Sequence, residues 1–297
     1  MFEIKSNLEA TFQSWSQPSS DSESSKCENA ISMIKGALRT SEELSNYDIQ
    51  LIPKGSYHNN TNVRLNSDVD IAVKLKDIFF AEYPDGKKHE DFGNHSAKYT
   101  FQEYRAAVEQ AMINKFGYAN VEFGNKSLKI HSNTYRVDAD VVPCFEHRRY
   151  SSNGSYITGT EFIARHSGEH VRNFPEQHYE NGVYKNNRTS RRYKKVVRIF
   201  KRLRYKLRDE GNKVDNISSF LLESLIWNVP NDRFNGDTLT SDVRECFRYL
   251  IENTLYEKSC EDWGEVSELL YLFHPTRKYT VDQVNIFLCE GYKYLFK

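Results

Sequence analysis

The sequence predicts an α+β protein, with a mixed β-sheet lobe first and a helical C-terminal lobe second. Three observations predict it. Up to about Tyr150, alternating stretches such as 68–75 and 135–145 are interleaved with amphipathic helical stripes. Beyond it, apolar residues recur at three and four residues, the spacing of helices packed on one face. The chain has 297 residues, long enough for two domains, and its 13% aromatic content sets it apart from disordered chains.

The elements follow in order. Leu8, Phe12 and Trp15 lie at i, i+4 and i+7 and predict a helix that Pro18 stops. Ser20 to Glu23 reads as a capping box opening a second helix, with Cys27, Ile31, Ile34 and Leu38 as its apolar face. Ile49 and Leu51 predict a short strand ending at Pro53-Lys54-Gly55-Ser56, followed by a polar loop over 57–67. Asp68 to Leu75 alternates as a half-buried strand, and 83–95 is a polar surface loop. Phe101, Tyr104, Val108, Ala111, Met112 and Phe116 make a helix ended by Gly117. One or two strands lie in 121–130, and another runs from Tyr135 to Phe145. Val196, Phe200, Leu203 and Leu207 form a helical stripe stopped at 209–212. Further helices are predicted over 220–227, around Val243 to Ile251, and over 281–294.

Composition narrows the function classes. No run of about 18 apolar residues predicts a membrane span, and the first thirty residues lack the pattern of a secretory signal. Five cysteines without a C-x-x-C pair support neither a disulfide framework nor a zinc ribbon, so a reducing cytoplasm is the expected location. Lys+Arg and Asp+Glu are 41 each, yet twelve of the basic residues and no acidic one fall between Lys185 and Arg208. That asymmetry predicts a polyanion site. The plainer reading is a solvated amphipathic helix whose apolar stripe packs inward; the functional one is that one or two of its cations line a phosphate cleft while the others face water or a nucleic acid. His166-Ser-Gly-Glu-His170 matches the H-x-x-E-H zinc pattern but has no convincing third ligand, and is read as a surface coincidence.

The chemistry concentrates in one ordered set of residues. Asp68 and Asp70 stand two apart on a strand, so both carboxylates share a face opposite Val69, Ile71 and Val73. Neighbouring like charges repel, and a hard divalent cation such as magnesium relieves them while also binding substrate phosphates. Upstream, Gly55-Ser56 offers backbone N–H groups and a hydroxyl to a phosphate. Downstream, Arg136, Asp138, Asp140 and Val142 share a predicted strand face, so either aspartate can supply a third carboxylate for a two-metal site.

Lys54-Gly-Ser-Tyr57, Thr61-Asn-Val-Arg64, Ser67-Asp-Val-Asp-Ile71 and Asp140-Val-Val-Pro143 resemble the polymerase-β-type nucleotidyltransferase signature. More narrowly, they resemble the bacterial CD-NTases, relatives of animal cyclic GMP-AMP synthase and oligoadenylate synthetase. Asn173-Phe-Pro-Glu-Gln-His178 and residues 218–230 resemble the pyrimidine-using branch, clade E. The resemblance implies a polymerase-β-like fold and two magnesium ions, with manganese as the alternative, held by Asp68, Asp70 and Asp140. Asp140 is preferred to Asp138 because the family's third aspartate directly precedes an apolar-apolar-Pro turn. It further implies that Gly55 and Ser56 hold a donor triphosphate, that Lys201 and Ser219 reach the same phosphates, that Phe220 stacks on a base, and that Asn173 reads a base edge. The plain alternative for Asn173 is a turn before Phe174-Pro175. The implied product is a cyclic di- or oligonucleotide messenger in bacterial anti-phage (CBASS) signalling, built from NTPs with UTP and ATP foremost and read by a downstream effector. The implied division is residues 1–45 as N-terminal helices packing on both lobes, 46–150 as catalytic core and 151–297 as nucleotide-binding lobe. The Cys/His cluster of a zinc thumb is missing, so double-stranded DNA activation of that kind is not expected. Competing readings are a nucleotidyltransferase acting on RNA ends or on a protein, and a nucleic-acid-binding pseudoenzyme.

Overall fold

A computed structural model of the chain describes residues 7–18, 21–63, 68–212, 214, 216–274 and 278–297. Contacts divide the chain into two compact units: a sheet unit of residues 20–58 and 65–175, and a helical unit of 1–19, 59–64 and 176–297. Ser20 of the predicted capping box, and Arg64 and Ser67 of the quoted motifs, lie outside the described residues.

The sheet unit holds β1 (Ile49–Lys54), β2 (Val69–Glu82), β3 (Val121–Phe123), β4 (Leu128–Ile130), β5 (Ala139–Tyr150), β6 (Tyr156–Ile163) and β7 (His170–Asn173). Its path is β1-β2-β5-β4-β3, with β6 on β5 and β7 on β6. Only β2 and β5 pair in parallel. The far edge of β5 is shared, since β4 pairs with 139–141 and β6 with 145–150. Helices α1 (Leu8–Trp15) and α2 (Asp21–Arg39) fall in different units, α1 in the helical one. Between β1 and β2 comes the one-turn α3 (Gly55–His58). Helix α4 (Phe101–Phe116) opens on a Thr100–Glu103 capping box and stops at Gly117. Cys27, Ile34, Leu38, Tyr104, Val108 and Met112 of α2 and α4 bury against Val69, Ile71, Val73 and Val141. Alternation therefore leaves Asp70 and Asp140 on the opposite face of the two central strands.

In the helical unit follow α5 (Pro175–Arg188), α6 (Tyr193–Asp209), α7 (Ser219–Trp227), α8 (Leu239–Asn253) and α9 (Val281–Phe296). The predicted stripe Val196, Phe200, Leu203 and Leu207 is buried against α7, α8 and α9. Phe200 stacks on Phe247 with centroids 4.3 Å apart.

Three expectations are corrected. The sheet does not end near Tyr150, because β6 and β7 carry it to Asn173; Gly159 interrupts the apolar pattern of β6, and four-residue β7 is too short to show a period. The strand expected from Tyr135 begins at Ala139, so Asp138, like Asp68 before β2, stands one residue ahead of its strand. The twelve cations of 185–208 are not chiefly a solvated face. Lys185, Lys194, Arg198 and Lys201 are buried, and only Arg188, Arg191, Lys206 and Arg208 are exposed. Lys185 donates to the Val229 carbonyl and to Asn231. Arg198 donates to the Ser16 and Asn60 carbonyls. Burial lowers the Lys185 ammonium to about 8 and Arg198 to about 10. Lys185 and Arg198 thus act as internal hydrogen-bond donors, chiefly to backbone carbonyls.

Candidate active site

In the sheet unit, β1 ends at Lys54 and the chain turns at once into α3. Lys54 pairs in register with Asp70, and Asp70 pairs in register with Asp140 across the parallel β2–β5 contact. Gly55 sits at φ +72°, and a Cβ there would collide with the Asp70 carboxylate. Both the left-handed backbone and the close approach therefore require glycine. The Ser56 hydroxyl has no hydrogen-bond partner among the described residues. Asp68 stands immediately before β2, where the Val69 N–H donates to the Asp138 carbonyl at 3.0 Å.

The two candidates for the third carboxylate differ. Asp138 accepts a backbone hydrogen bond from Ser132 and lies 3.4 Å from the Lys129 ammonium. Burial pushes its carboxyl up, but the Ser132 hydrogen bonds and the Lys129 charge outweigh that and hold it below its ordinary value. Asp140 is pushed the other way, first by burial and then by the charge of Asp68. Its Oδ1 accepts from the Ser127 hydroxyl at 3.3 Å. Asp138 is thus anchored to its own loop, while Asp140 stands opposite Asp70 with its charge incompletely compensated.

Asn173 ends β7 in the same unit. Its carbonyl accepts from the Thr160 hydroxyl at 3.4 Å. Its side-chain amide has no partner among the described residues and does not cap α5. A Cβ on Gly159 would meet the Asn173 carbonyl at 2.6 Å and the Phe174 ring at 2.8 Å, so glycine is what seats this end of β7.

In the helical unit, Ser218 caps α7 by accepting from the Leu221 N–H, which puts Ser219 in the first turn. The Ser219 hydroxyl is unpartnered among the described residues. Phe220 is 36% exposed, with its ring centroid 5.8 Å from that of His178. Lys201, expected at a phosphate, is 1% exposed and donates to Glu223 and Thr61, both at 2.9 Å. Glu223 also accepts from Thr61 at 2.8 Å and Asn59 at 3.4 Å, and lies 3.1 Å from His178 Nε2. Burial raises the Glu223 carboxyl, but Lys201 and His178 outweigh it and hold it far below the usual carboxylate range. Lys201 therefore serves a buried ion pair that fixes the 59–63 segment and the His178–Phe220 pair.

Sequence reasoning missed Glu223, His178, Ser127 and Lys129. Lys129 had a signal: it stands between Leu128 and Ile130, both buried, and so on the carboxylate face of β4. Of the zinc-like motif, His170 pairs with Glu161 at 2.7 Å and His166 and Glu169 are exposed.

A glycine-serine turn leading into an Asp-x-Asp strand, with a third aspartate in register on the parallel neighbour, is the arrangement of a polymerase-β-type nucleotidyltransferase. Residues 180–296 match the cGAS/DncV-like nucleotidyltransferase C-terminal helical domain. The cyclic dipyrimidine nucleotide synthase CdnE of Cecembia lonarensis is 49% identical over 277 residues, 93% of this chain and 94% of that protein. The protein of the same description from Legionella pneumophila is 42% identical over 97% of this chain and 98% of its own. The solved structure of Rhodothermus marinus CdnE c-UMP-AMP synthase with Apcpp and Upnpp superposes with a TM-score of 0.86 at 27% identity, covering 97% of each chain. The chain belongs to the CD-NTase family of nucleotidyltransferases, within clade E.

Proposed function

We propose that this enzyme joins nucleoside triphosphates, with release of pyrophosphate, into a cyclic di- or oligonucleotide that contains at least one pyrimidine. The observation that carries the reading is the in-register pair Asp70–Asp140 beside Gly55, with Asp68 two residues before Asp70. The donor set suits magnesium chemically: Asp70 and Asp140 are register partners on adjacent strands, Asp68 stands one residue before β2, and burial together with the charge of Asp68 raises Asp140, which a hard cation relieves. Asp68, Asp70 and Asp140 hold the ions, with manganese as the substitute. Magnesium bound there neutralises the triphosphate and acidifies the attacking ribose hydroxyl.

The chain's own residues position the reactants. Backbone N–H groups of the Gly55–Ser56 turn and the Ser56 hydroxyl hold triphosphate oxygens. Ser219, unpartnered in the first turn of a helix, offers a hydroxyl to phosphate. Phe220 gives a base a stacking face that is indifferent to base identity. The Asn173 amide offers a donor and an acceptor, and the uracil edge presents an N3–H between two carbonyls. Lys201 supports the Ser219–Phe220 turn through its hydrogen bonds to Glu223 and Thr61. The dipyrimidine relatives support a pyrimidine triphosphate such as UTP as a substrate, and the c-UMP-AMP synthase of Rhodothermus marinus supports ATP beside it. The setting is CBASS anti-phage signalling in a reducing cytoplasm, with which five free cysteines agree, and an effector protein reads the product.

The test is one incubation with four radiolabelled NTPs and Mg²⁺, treated with phosphatase and resolved by chromatography. A phosphatase-resistant small product containing uridine is expected. Label appearing only in RNA or protein, or no turnover, would overturn the reading.

A further inference from the structure

The geometry points to Lys129 as a resident counter-ion of the carboxylate site, competing with divalent metal for Asp68 and so setting the metal concentration at which the site loads. The inference rests on the reading of Asp68, Asp70 and Asp140 as metal ligands.

Lys129 occupies the middle of β4, in register opposite Asp140. Leu128 and Ile130 are 2% and 0% exposed and fix the strand's other face in the core, so the Lys129 side chain has one direction left. Its Nζ lies 3.1 Å from Asp68 and 3.4 Å from Asp138. Lys54, in register with Asp70, is another lysine of this neighbourhood, and it forms no ion pair among the described residues. Lys129 thus closes its ammonium directly on a candidate ligand. Among the described residues no three His, Cys, Asp or Glu side chains are already gathered as a ligand set.

An ammonium is a poor permanent substitute for a divalent ion. It carries one charge on a flexible four-carbon stem and stays strongly hydrated. The Lys129 side chain is 34% and the Asp68 side chain 38% exposed, so the pair is solvent-screened and readily exchanged. It is strong enough to offset carboxylate repulsion without metal, and weak enough to yield when metal arrives. Metal uptake then includes breaking the Lys129–Asp68 pair, which lowers the apparent affinity.

The experiment measures Mn²⁺ binding alone, by the electron paramagnetic resonance of free Mn²⁺, on the full chain without nucleotide. Wild type, Lys129→Met, Lys129→Arg and Asp70→Asn are compared, with melting temperatures in EDTA and in Mg²⁺. Lys129→Met is expected to bind Mn²⁺ about three- to tenfold more tightly, a range set by the modest worth of a partly exposed ion pair and the loss of one nearby positive charge. It is also expected to melt lower in EDTA and to gain more from Mg²⁺ than wild type does. Lys129→Arg, which keeps the charge, is expected to stay near wild type. Unchanged or weaker Mn²⁺ binding in Lys129→Met would overturn the counter-ion role, as would a raised KM for NTP with unaltered metal binding. If Asp70→Asn binds Mn²⁺ as wild type does, the metal-ligand reading fails, and that failure is distinct because it does not involve Lys129.

Discussion

Asp70 and Asp140 are register partners on the only parallel strand pair of the described sheet, and Gly55 leaves the space that the Asp70 carboxylate fills. Two carboxylates so placed repel each other, and burial adds to the cost. Asp70→Ala is expected to lose nucleotide transfer by more than the roughly 10–100-fold typical of outer-shell partners of a metal. Its melting temperature in EDTA should be unchanged or higher. Pyrophosphate release at the wild-type rate would refute the assignment.

Asp138 and Asp140 should separate cleanly. Asp140→Ala is expected to abolish turnover with little loss of stability. Asp138→Ala leaves the Ser132 N–H without its acceptor and is expected to cost about 1 kcal/mol while retaining most turnover. Paired kinetics and denaturant titrations of the two variants decide this, and a greater turnover loss at Asp138 would reverse the roles.

Gly55→Ala meets both a positive φ and the Asp70 carboxylate. A destabilisation of about 1–3 kcal/mol is expected from the backbone alone, together with loss of transfer. A fully active, wild-type-stable Gly55→Ala protein is incompatible with the described turn.

Glu223 ties stability to pH. Its folded carboxyl lies below the ordinary value near 4.3, because Lys201 and His178 outweigh the cost of its burial. Its contribution is therefore complete above about pH 4.3 and is lost as pH falls below that toward the folded value. Glu223→Ala strands the Lys201 ammonium and is expected to cost about 3–5 kcal/mol. Glu223→Gln should retain more stability and flatten the acid limb of the melting-temperature curve. An identical acid limb in wild type and Glu223→Gln would remove this role.

Base choice should respond to the floor under Asn173 as well as to Asn173 itself. Asn173→Ser is expected to shift incorporation away from uridine while leaving part of the total activity. Gly159→Ala pushes on the Asn173 carbonyl and the Phe174 ring and should shift base choice the same way without touching nucleotide. Competition assays with UTP and ATP read both, and unchanged ratios in both variants would exclude Asn173 as a base reader.

The sequence made some of this legible and hid the rest for physical reasons. Gly55, Asp68 and Asp70 could be read because a turn and a period-two strand are local patterns. The order β2-β5, which brings Asp140 to Asp70, is non-local, and no spacing in the sequence states it. Alternation through Arg136 and Asp138 imitated a strand that begins at Ala139. The cations of α6 were misjudged because helical spacing tells which residues share a face, not which carbonyls or carboxylates wait opposite them. Glu223 sits four residues beyond Ser219 in an apolar run, and nothing local announces its ion pair.

That inward turn of the cations reaches into the test tube. A guanidinium or ammonium locked on an internal carbonyl is withheld from the solution, so the stretch with the densest positive charge in the chain offers a polyanion column fewer cations than the twelve it carries. On heparin the protein should elute at lower salt than a count along residues 185–208 would forecast.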